Sequence, residues 1–392
     1  MTVGLINFYV DAAADFIIDI DQGATGLDDG DEVTWNGLAG PVSGRTFGLN
    51  AFTSVQDAID AADDGETVHI AQGIYNEGQT LIIDKSLSLV GSSAHQTFFT
   101  GHNTRRIIQF SDTSGGFLNI TNLTLTEGVA SDDVGGAIHA LGHTDTVHLF
   151  NSCITLCSAK KGASIYTNGY VTARNSLFAS NFASMAGAAI ALGGDHFEED
   201  VATIENCTFS ENGNDDPLGI CIWFDFQPNP SAQGHASIDG CTFYRNLSNS
   251  PTYATVISPN YEWLISVSNS LLVDNGFSLS GTSHGLFRFP NAGSGGSLAD
   301  NFQNLGGVYN TRSTGVANDL IIETTLANNG GPTPTHALVS GSPAIDAGIN
   351  SLIPDDTLDQ DKDNNFSEAI PFDQRGFGFP RIIDGTVDIG AF

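Results

Sequence analysis

Apolar and polar residues alternate along the middle of the chain in stretches that are only a few residues long. In NSLFASN (residues 175–181) and NCTFSEN (residues 206–212) the alternation ends at an asparagine. A period of two predicts β-strands, and stretches this short and this polar do not predict helices. Glycine or asparagine follows each stretch, which indicates a bend. The pattern therefore predicts many short strands separated by bends.

These stretches recur as a repeat. Related segments begin at Asn122 (NLTLTEG), Asn151 (NSCITLC), Asn175 (NSLFASN), Asn206 (NCTFSEN), Gly240 (GCTFYRN) and Asn269 (NSLLVDN). Their spacings are 29, 24, 31, 34 and 29 residues, and a second motif lies between them: GGAI at 135–138, KGASI at 161–165, AGAAI at 186–190 and LGICI at 218–222. A period of 20–50 residues with such contents is typical of a solenoid.

Strand-like repeats with loops of variable length favour an all-β solenoid of stacked parallel strands, a parallel β-helix. Stacking in register places like residues on like at about 4.8 Å. Phe178, Phe209 and Phe243 should then form a buried aromatic ladder. A second ladder, of hydrogen-bonded amides, should contain Asn181, Asn212, Asn246 and Asn275.

The five cysteines match neither a zinc motif nor a disulfide framework, which favours buried thiols. Cys207 and Cys241 occupy equivalent repeat positions. They can form a stacked thiol pair or a disulfide, because the Cα atoms of adjacent strands are close enough to be bridged.

Three segments are expected along the chain. Residues 1–50 form a β-rich N-terminal segment, in which FIIDIDQG and VTWNG suggest a hairpin. Residues 51–330 form the β-helix, with a capping helix at about 54–63, N-capped by Ser54, and repeats at about 117–280. At the mean spacing this length holds about nine coils. Residues 331–392 form a C-terminal module with an acidic loop, expected to close the far end, where Arg375 and Arg381 pair with aspartates.

The charge of the chain limits the classes of partner that it is expected to bind. The sequence holds 45 Asp and Glu against 13 Lys and Arg, a formal net charge of −32. This field repels nucleic-acid phosphate and anionic lipid and favours cations. No stretch reaches the roughly 20 apolar residues that a membrane helix needs, so direct membrane insertion is not expected. The opening residues lack the features of a signal peptide. The chain is thus cytoplasmic, exported by another route or, as its ending favours, a piece of a longer protein.

The FxxN motif, at Phe178–Asn181, Phe209–Asn212 and Phe243–Asn246, alternates with GGAI and resembles the repeats of the polymorphic outer-membrane proteins. Those proteins are right-handed parallel β-helices that serve as bacterial adhesins. FTSVQDAIDAADDGETVHIAQGIYNE (52–77) resembles the opening of pectin-lyase-like β-helices. Residues 326–348 and 373–392 resemble a C-terminal module of secreted bacterial β-helix proteins, which often precedes a surface-anchoring signal. These resemblances imply a right-handed β-helix in an extracellular or bacterial cell-surface location.

The acidic loop DQDKDNNFSE (359–368) is the best local site motif. Asp359, Asp361 and Asp363 alternate as they do in calcium loops. It is not an EF-hand, because positions six and twelve are Asn364 and Ile370. A different calcium loop remains open, with Asn365 or Glu368 completing the ligand shell; the alternative is a solvated acidic loop.

Two functions are compatible with these features. One is a non-enzymatic adhesin or scaffold that binds an extracellular glycan or a surface protein and can self-associate. The other is a polysaccharide lyase, epimerase or hydrolase acting on an acidic glycan, which needs a base and a cation beside the substrate carboxylate. The central basic residues share no repeat position, so the sequence favours the surface module; these residues are Lys160, Lys161, Arg174 and Arg245.

Overall fold

The computed structural model describes most of the chain. The described residues are 7–10, 17–18, 32–37, 40–46, 49, 51–112, 114–193, 200–215, 221–224, 235–248, 257–259, 264–277 and 318–392. The expected ninth coil, and the start of LGICI at 218–220, lie outside them. Within this part of the chain, no helix is long and apolar enough to cross a membrane.

Four parallel sheets, here called A to D in their order along a coil, form the solenoid. The described coils that begin at Glu66 and Leu87 have strands in sheets A, B and D, and sheet C begins with the coil that follows them. Sheet A consists of Asn7–Val10, Ala51–Phe52, Glu66–Ile70, Leu87–Gly91, Phe117–Thr121, Thr146–Phe150, Tyr170–Arg174, Asp200–Glu205, His235–Asp239 and Leu264–Ser268. Sheet B consists of Gly73–Tyr75, Thr97–Thr100, Thr124–Thr126, Cys153–Thr155, Leu177–Ala179, Thr208–Ser210, Thr242–Tyr244 and Leu271–Val273.

The other two sheets have shorter strands. Sheet C consists of Val129–Val134, Ser158–Lys161, Phe182–Ala186, Gly213–Asn214, Leu247–Ser248 and Gly276–Phe277. Sheet D consists of Leu81–Ile83, Ile108–Phe110, Ile138–Ala140, Ile165–Thr167, Ile190–Leu192, Ile222–Phe224 and Ile257–Pro259. Consecutive coils pair in parallel in every sheet, so the predicted all-β parallel β-helix is confirmed.

The two predicted ladders are present inside the coils. Phe178, Phe209 and Phe243 are fully buried and stack with centroid separations of 4.8 and 4.6 Å and an interplanar angle of 7°. Asn181 Nδ2 donates to Asn212 Oδ1 at 3.0 Å, and Asn212 Nδ2 donates to its counterpart on the next coil, Asn246, also at 3.0 Å. Each coil thus uses the next coil to bury its apolar face and to satisfy its buried amides.

All five cysteines are buried free thiols, as the first of the two alternatives proposed. Cys207 and Cys241 belong to adjacent coils, and the backbone nitrogen of Thr242 donates to the Cys207 carbonyl at 2.9 Å. Burial raises the pKa of Cys153 and of Cys157 to about 12, so both thiols stay protonated and unreactive at neutral pH.

The described residues of the N-terminal part include a helix and an antiparallel sheet. Helix α1 spans Val55–Ala61, and the Ser54 side chain accepts from the Asp57 amide at its start. Its buried side chains face the first coil. The expected hairpin lies in the sheet formed by Ile17–Ile18, Glu32–Gly37 and Gly40–Thr46. Strand Asn7–Val10, from the same N-terminal segment, instead joins sheet A of the solenoid.

Residues 318–392 do not close the far end of the solenoid, as the sequence suggested, but lie along its side. They contain the 3₁₀ turns Asn318–Leu320 and Asn350–Leu352 and the antiparallel strands Ile382–Ile383 and Thr386–Val387. Antiparallel bridges join Ile322 to Leu338 and Ala327 to Thr335, so the expected boundary at residue 330 falls inside paired backbone. We call residues 318–392 the lateral module.

Side chains on the outer face of sheet B explain this placement. Leu177 and Cys153 pack near Leu326, and Leu271 packs with Ile321 and Ile389 of the module. Polar contacts continue the interface, since Thr208 Oγ1 donates to Gln374 Oε1 at 2.6 Å. Apolar side chains on the outer face of a sheet are stabilised when another layer shields them from water, and polar groups buried with them need hydrogen-bond partners. The lateral module supplies both.

Candidate functional site

The lateral module brings the acidic loop to the side of the solenoid, beside the strands that end at Phe150 and Arg174. The Arg174 guanidinium donates from Nη2 to Thr357 Oγ1 at 3.0 Å, and Asn206 Nδ2 donates to the Phe372 carbonyl at 2.9 Å. These contacts fix both ends of the loop region to sheet A and to the bend that follows it. The loop is therefore part of a surface shared by two elements distant in sequence.

Acidic side chains of the loop form two overlapping groups. The first contains Asp359, Asp361 and Asp363, the alternating aspartates of the loop, and the second contains Asp356, Asp361 and Glu368. In each group one carboxylate oxygen per residue lies within 4.8 Å of the others, close enough to hold a metal ion together. Asn365 lies beside the second group, and its Nδ2 donates to Glu368 Oε2 at 3.0 Å.

Backbone amides already occupy much of the first group. Asp361 Oδ1 accepts from the Asp363 nitrogen at 3.3 Å, and Asp363 Oδ1 accepts from the Asn365 nitrogen at 2.7 Å. Asp359 Oδ1 accepts from the Asn364 nitrogen at 3.1 Å, and Asp359 itself has a positive φ of 52°. The alternation that suggested calcium thus also serves tight turns, in which short polar side chains bond to nearby amides.

Asp356, which the sequence analysis did not select, completes the second group. Its side chain is fully buried, and Oδ2 accepts from the Gln360 nitrogen at 2.6 Å. Its other oxygen, Oδ1, is buried without a hydrogen-bond partner, and so is Glu368 Oε1. No spacing motif marks this pairing, because an antiparallel bridge between Asp355 and Ala369 brings the two residues together.

The other carboxylates of the cluster act on Glu368. Loss of hydration, followed by the neighbouring carboxylates of Asp363 and Asp361, raises the pKa of Glu368 above its usual value. A cation among these carboxylates would remove the repulsion. The described residues therefore include an acidic cluster that can hold a metal ion.

A groove with a volume of about 670 Å³ lies directly beside the acidic loop. Three phenylalanines, Phe150, Phe372 and Phe377, contribute apolar surface, and Phe377 is 86% exposed. The remaining lining is mostly polar and comes from both elements: Asn151, Arg174, Asn175, Pro332, Leu358, Gln360, Asp361, Lys362, Arg375 and Gly376. Asp361 belongs both to this lining and to the two acidic groups.

Arg375 is held rigidly at the groove. Its guanidinium lies 4.2 Å from the centroid of Phe379 and 3.7 Å from that of Phe392, and its Nη2 pairs with Asp373 at 2.5 Å. Burial raises the pKa of Asp373, while Arg375 lowers it. The expected pairing of Arg375 with an aspartate is confirmed, and it leaves the arginine less free to hold a substrate carboxylate.

Beneath the groove, Arg174, Glu205 and Asp239 follow one another on the outer face of sheet A. Arg174 Nε and Glu205 Oε2 form a buried ion pair, although neither atom has a hydrogen bond of good geometry. Burial raises the pKa of Glu205 to about 7 against the opposing effect of Arg174, and burial raises that of Asp239 to about 6. Glu205 and Asp239 are buried and do not line the groove, whereas Arg174 is part of its lining.

The other central basic residues lie apart from this groove. Lys160 and Lys161 belong to sheet C, and the Lys161 ammonium lies 4.4 Å from the centroid of the Trp223 ring. Arg245 pairs with the exposed carboxylates of Glu211 and Asp274 at 3.2 and 3.6 Å. The four cations that an enzyme would recruit thus share no surface, in keeping with their scattered repeat positions.

Comparisons with known proteins do not assign the chain to a family. No family model matches the chain. No curated protein matches it either. The fold, the acidic cluster and the groove are therefore the basis for a functional assignment.

Proposed function

We propose that the protein is a non-enzymatic surface module that binds a glycan in the groove between sheet A and the lateral module. The observation that carries this proposal is the composition of the groove, in which three phenylalanines stand beside amide groups. Apolar surface with a few placed polar groups is the usual make-up of a ligand site. Asn151, Asn175 and Gln360 offer donors and acceptors that match sugar hydroxyls.

The charges favour a neutral glycan over a polyanion. The formal net charge of −32 repels polyuronates at long range, and Asp373 pairs with Arg375, one of the groove cations. Among the described residues that line the groove, Asp361 is the single carboxylate. Glycoside hydrolysis normally uses two carboxylates facing the bond that breaks, so this lining supports binding rather than cleavage.

The binding test uses Phe377→Ala, which removes the most exposed ring of the groove, and Phe366→Ala as a matched control. Phe366 is also an exposed phenylalanine of the lateral module but does not line the groove. A panel of neutral and acidic polysaccharides is incubated with each protein. Affinity is measured by calorimetry, and polymer length and composition are measured by size-exclusion chromatography and NMR.

We expect at least one neutral polymer to bind unchanged in length. Phe377→Ala should weaken its binding about tenfold, which corresponds to about 1.4 kcal/mol, and the control should not. Shortened or epimerised polymer would instead show that the protein is an enzyme. Equal binding by Phe377→Ala and the wild type would show that the glycan binds at another surface. If the protein binds another protein but no polysaccharide, the ligand is a protein partner and not a glycan.

We also propose calcium as the ion of the acidic cluster, and a secreted or cell-surface location. The cluster offers only hard oxygen ligands, the donor set of calcium sites. The location is supported by the resemblance of residues 326–348 and 373–392 to modules of secreted β-helix proteins and by that of the repeats to surface adhesins. Antibody labelling of intact cells, compared with permeabilised cells, tests the location; labelling only after permeabilisation would refute it.

A further inference from the structure

Asp356 has a buried carboxylate oxygen without a hydrogen-bond partner, which indicates a cation site. A buried carboxylate is normally satisfied by hydrogen bonds or by an opposite charge. Asp356 is fully buried, yet Oδ1 has no hydrogen-bond partner, and one carboxylate oxygen of Asp356 lies within 4.8 Å of one from Asp361 and one from Glu368. Glu368 Oε1 is in the same state. A cation bound by this group of three carboxylates would satisfy such unpartnered oxygens.

The position of this cluster gives it a consequence for the groove. Asp356 and Asp361 enclose the segment 357–360, and the groove lining includes Leu358, Gln360 and Asp361. Asp361 and Lys362 are exposed, so few packing contacts hold this part of the wall. Fixing Asp361 to the buried Asp356 would therefore fix the wall.

We propose that Asp356, Asp361 and Glu368 bind one calcium ion, with Asp356 as the buried ligand, and that this ion immobilises the loop wall of the groove. Calcium takes six to eight oxygens, which leaves positions for water or loop carbonyls beside the three carboxylates. The ion ties the loop to the solenoid, because Thr357, next to Asp356, accepts the hydrogen bond from Arg174. In its effect on ligand affinity, this inference rests on the glycan-binding function proposed above.

Calcium alone provides the first test. Calorimetric titration with calcium chloride is carried out on the full chain, on Asp356→Asn and Glu368→Gln, and on Asp355→Asn. The last variant makes the same charge change at an exposed neighbouring position and is the matched control. The side chain introduced by Asp356→Asn retains an oxygen for the Gln360 amide, and circular dichroism checks that each variant is folded.

We expect one ion per chain, at least tenfold weaker binding in Asp356→Asn and Glu368→Gln, and a change of less than twofold in Asp355→Asn. Amide hydrogen exchange over residues 357–368 should slow on calcium addition in the wild type but not in Asp356→Asn. No calcium heat, wild-type affinity in Asp356→Asn, or unchanged exchange would each overturn the inference.

The link to the groove is tested with the polysaccharide that binds best, in calcium and in chelator. Affinity should fall about tenfold in chelator for the wild type, and Asp356→Asn should bind weakly in both. Equal affinity in chelator would refute the coupling but leave glycan binding intact. If no polysaccharide binds, the proposed function fails, and titration and exchange decide the metal site by themselves.

Discussion

Each coil of the solenoid turns a corner on either side of sheet B, and asparagine recurs at both corners. At the corner between sheets A and B, five asparagines have positive φ values of 45–58°: Asn122, Asn151, Asn175, Asn206 and Asn269. At the corner between sheets B and C, the stacked asparagines are inside the coil, and the residues with positive φ are different ones: Glu127, Leu156, Ser180, Glu211, Arg245 and Asp274.

The asparagines at each corner form a column along the solenoid, and the two columns use different properties of the same residue. The corner between sheets A and B requires left-handed backbone at these positions, which asparagine and glycine both tolerate. Asn206 and Asn269 also hydrogen-bond to the lateral module through their side chains. The corner between sheets B and C uses the side-chain amide, which hydrogen-bonds to the coils on both sides and has no substitute of the same shape. A position that serves through its backbone should therefore tolerate exchange, and one that serves through its side chain should not.

The same substitution in each column gives the largest expected difference. Asn212→Gly removes an amide that bonds to Asn181, Asn246 and the Phe178 carbonyl, and leaves buried groups unsatisfied. We expect the free energy of unfolding to fall by about 3–5 kcal/mol. Asn122→Gly keeps the left-handed backbone at its corner and should change it by less than about 1 kcal/mol.

Chemical denaturation of both variants, followed by circular dichroism, measures this difference. Equal losses at the two positions would mean that the columns do not differ in kind. Asn212→Asp provides a further control, because it keeps the side-chain shape while replacing the amide donor. It should be destabilising as well, since the donor to the Phe178 carbonyl is lost.

Gly240 is the exception in the corner between sheets A and B, and the lateral module explains it. Its φ of 59° is one that asparagine adopts on the other coils, but a Cβ at this position would lie 2.4 Å from Arg381 Nη2 and 2.6 Å from Asn206 Oδ1. Gly240→Asn, which restores the residue of the other repeats, should therefore destabilise the protein by about 2 kcal/mol.

A double-mutant cycle with Arg381→Ala separates the effect of the backbone conformation at position 240 from the effect of the contact with Arg381. When Arg381→Ala is already present, most of the cost of Gly240→Asn should disappear, because the clashing guanidinium is gone. An unchanged cost in that background would show that Arg381 is not the cause and would assign the requirement for glycine to the backbone or to Asn206 Oδ1, which still lies close to the added Cβ. Calorimetric melting of the wild type, the two single variants and the double variant measures the cycle.

The contrast between the columns also explains which features the sequence could predict. The Phe178 and Asn212 ladders are periodic, and a period in the sequence becomes a column in the fold, so both were predicted from spacing alone. The lateral position of residues 318–392 has no such period, because a contact such as Thr208 to Gln374 joins unrelated sequences 166 residues apart. The apolar outward residues Leu177 and Leu271, and the break at Gly240, were the available signs of a covering layer.

The candidate site was predictable in part for the same reason. Asp361 and Glu368 belong to one continuous acidic run, whereas Asp356 joins them only through an antiparallel bridge. Its burial depends on packing against the solenoid, which local residue types do not specify. The groove was not predictable at all, because its lining combines Phe150 and Arg174 with residues from the lateral module.

The corner between sheets A and B, which the lateral module covers, should differ from the internal amide column in its response to pH. Glu205 directly precedes Asn206, and burial raises its pKa from 4.5 to about 7 in the folded protein. The folded state then binds more protons than the unfolded state between these values. The stabilisation that this group contributes is fully present below about pH 4.5 and is lost as the pH rises through about 7. Glu205→Gln removes this titration, so stability should fall less in the variant than in the wild type between pH 5 and pH 8, by about 1–2 kcal/mol.

Denaturant unfolding at both pH values measures the difference, and Glu211→Gln, at an exposed carboxylate of the corner between sheets B and C, is the control. Asp239 and other buried acids contribute to the pH slope of every protein in the series, so the comparison concerns only the change of slope on substitution. A slope in Glu205→Gln equal to that of the wild type would mean that the Arg174 pair keeps Glu205 ionised despite its burial. The covered corner would then be held by a permanent ion pair, as insensitive to pH in this range as the amide column inside the coils.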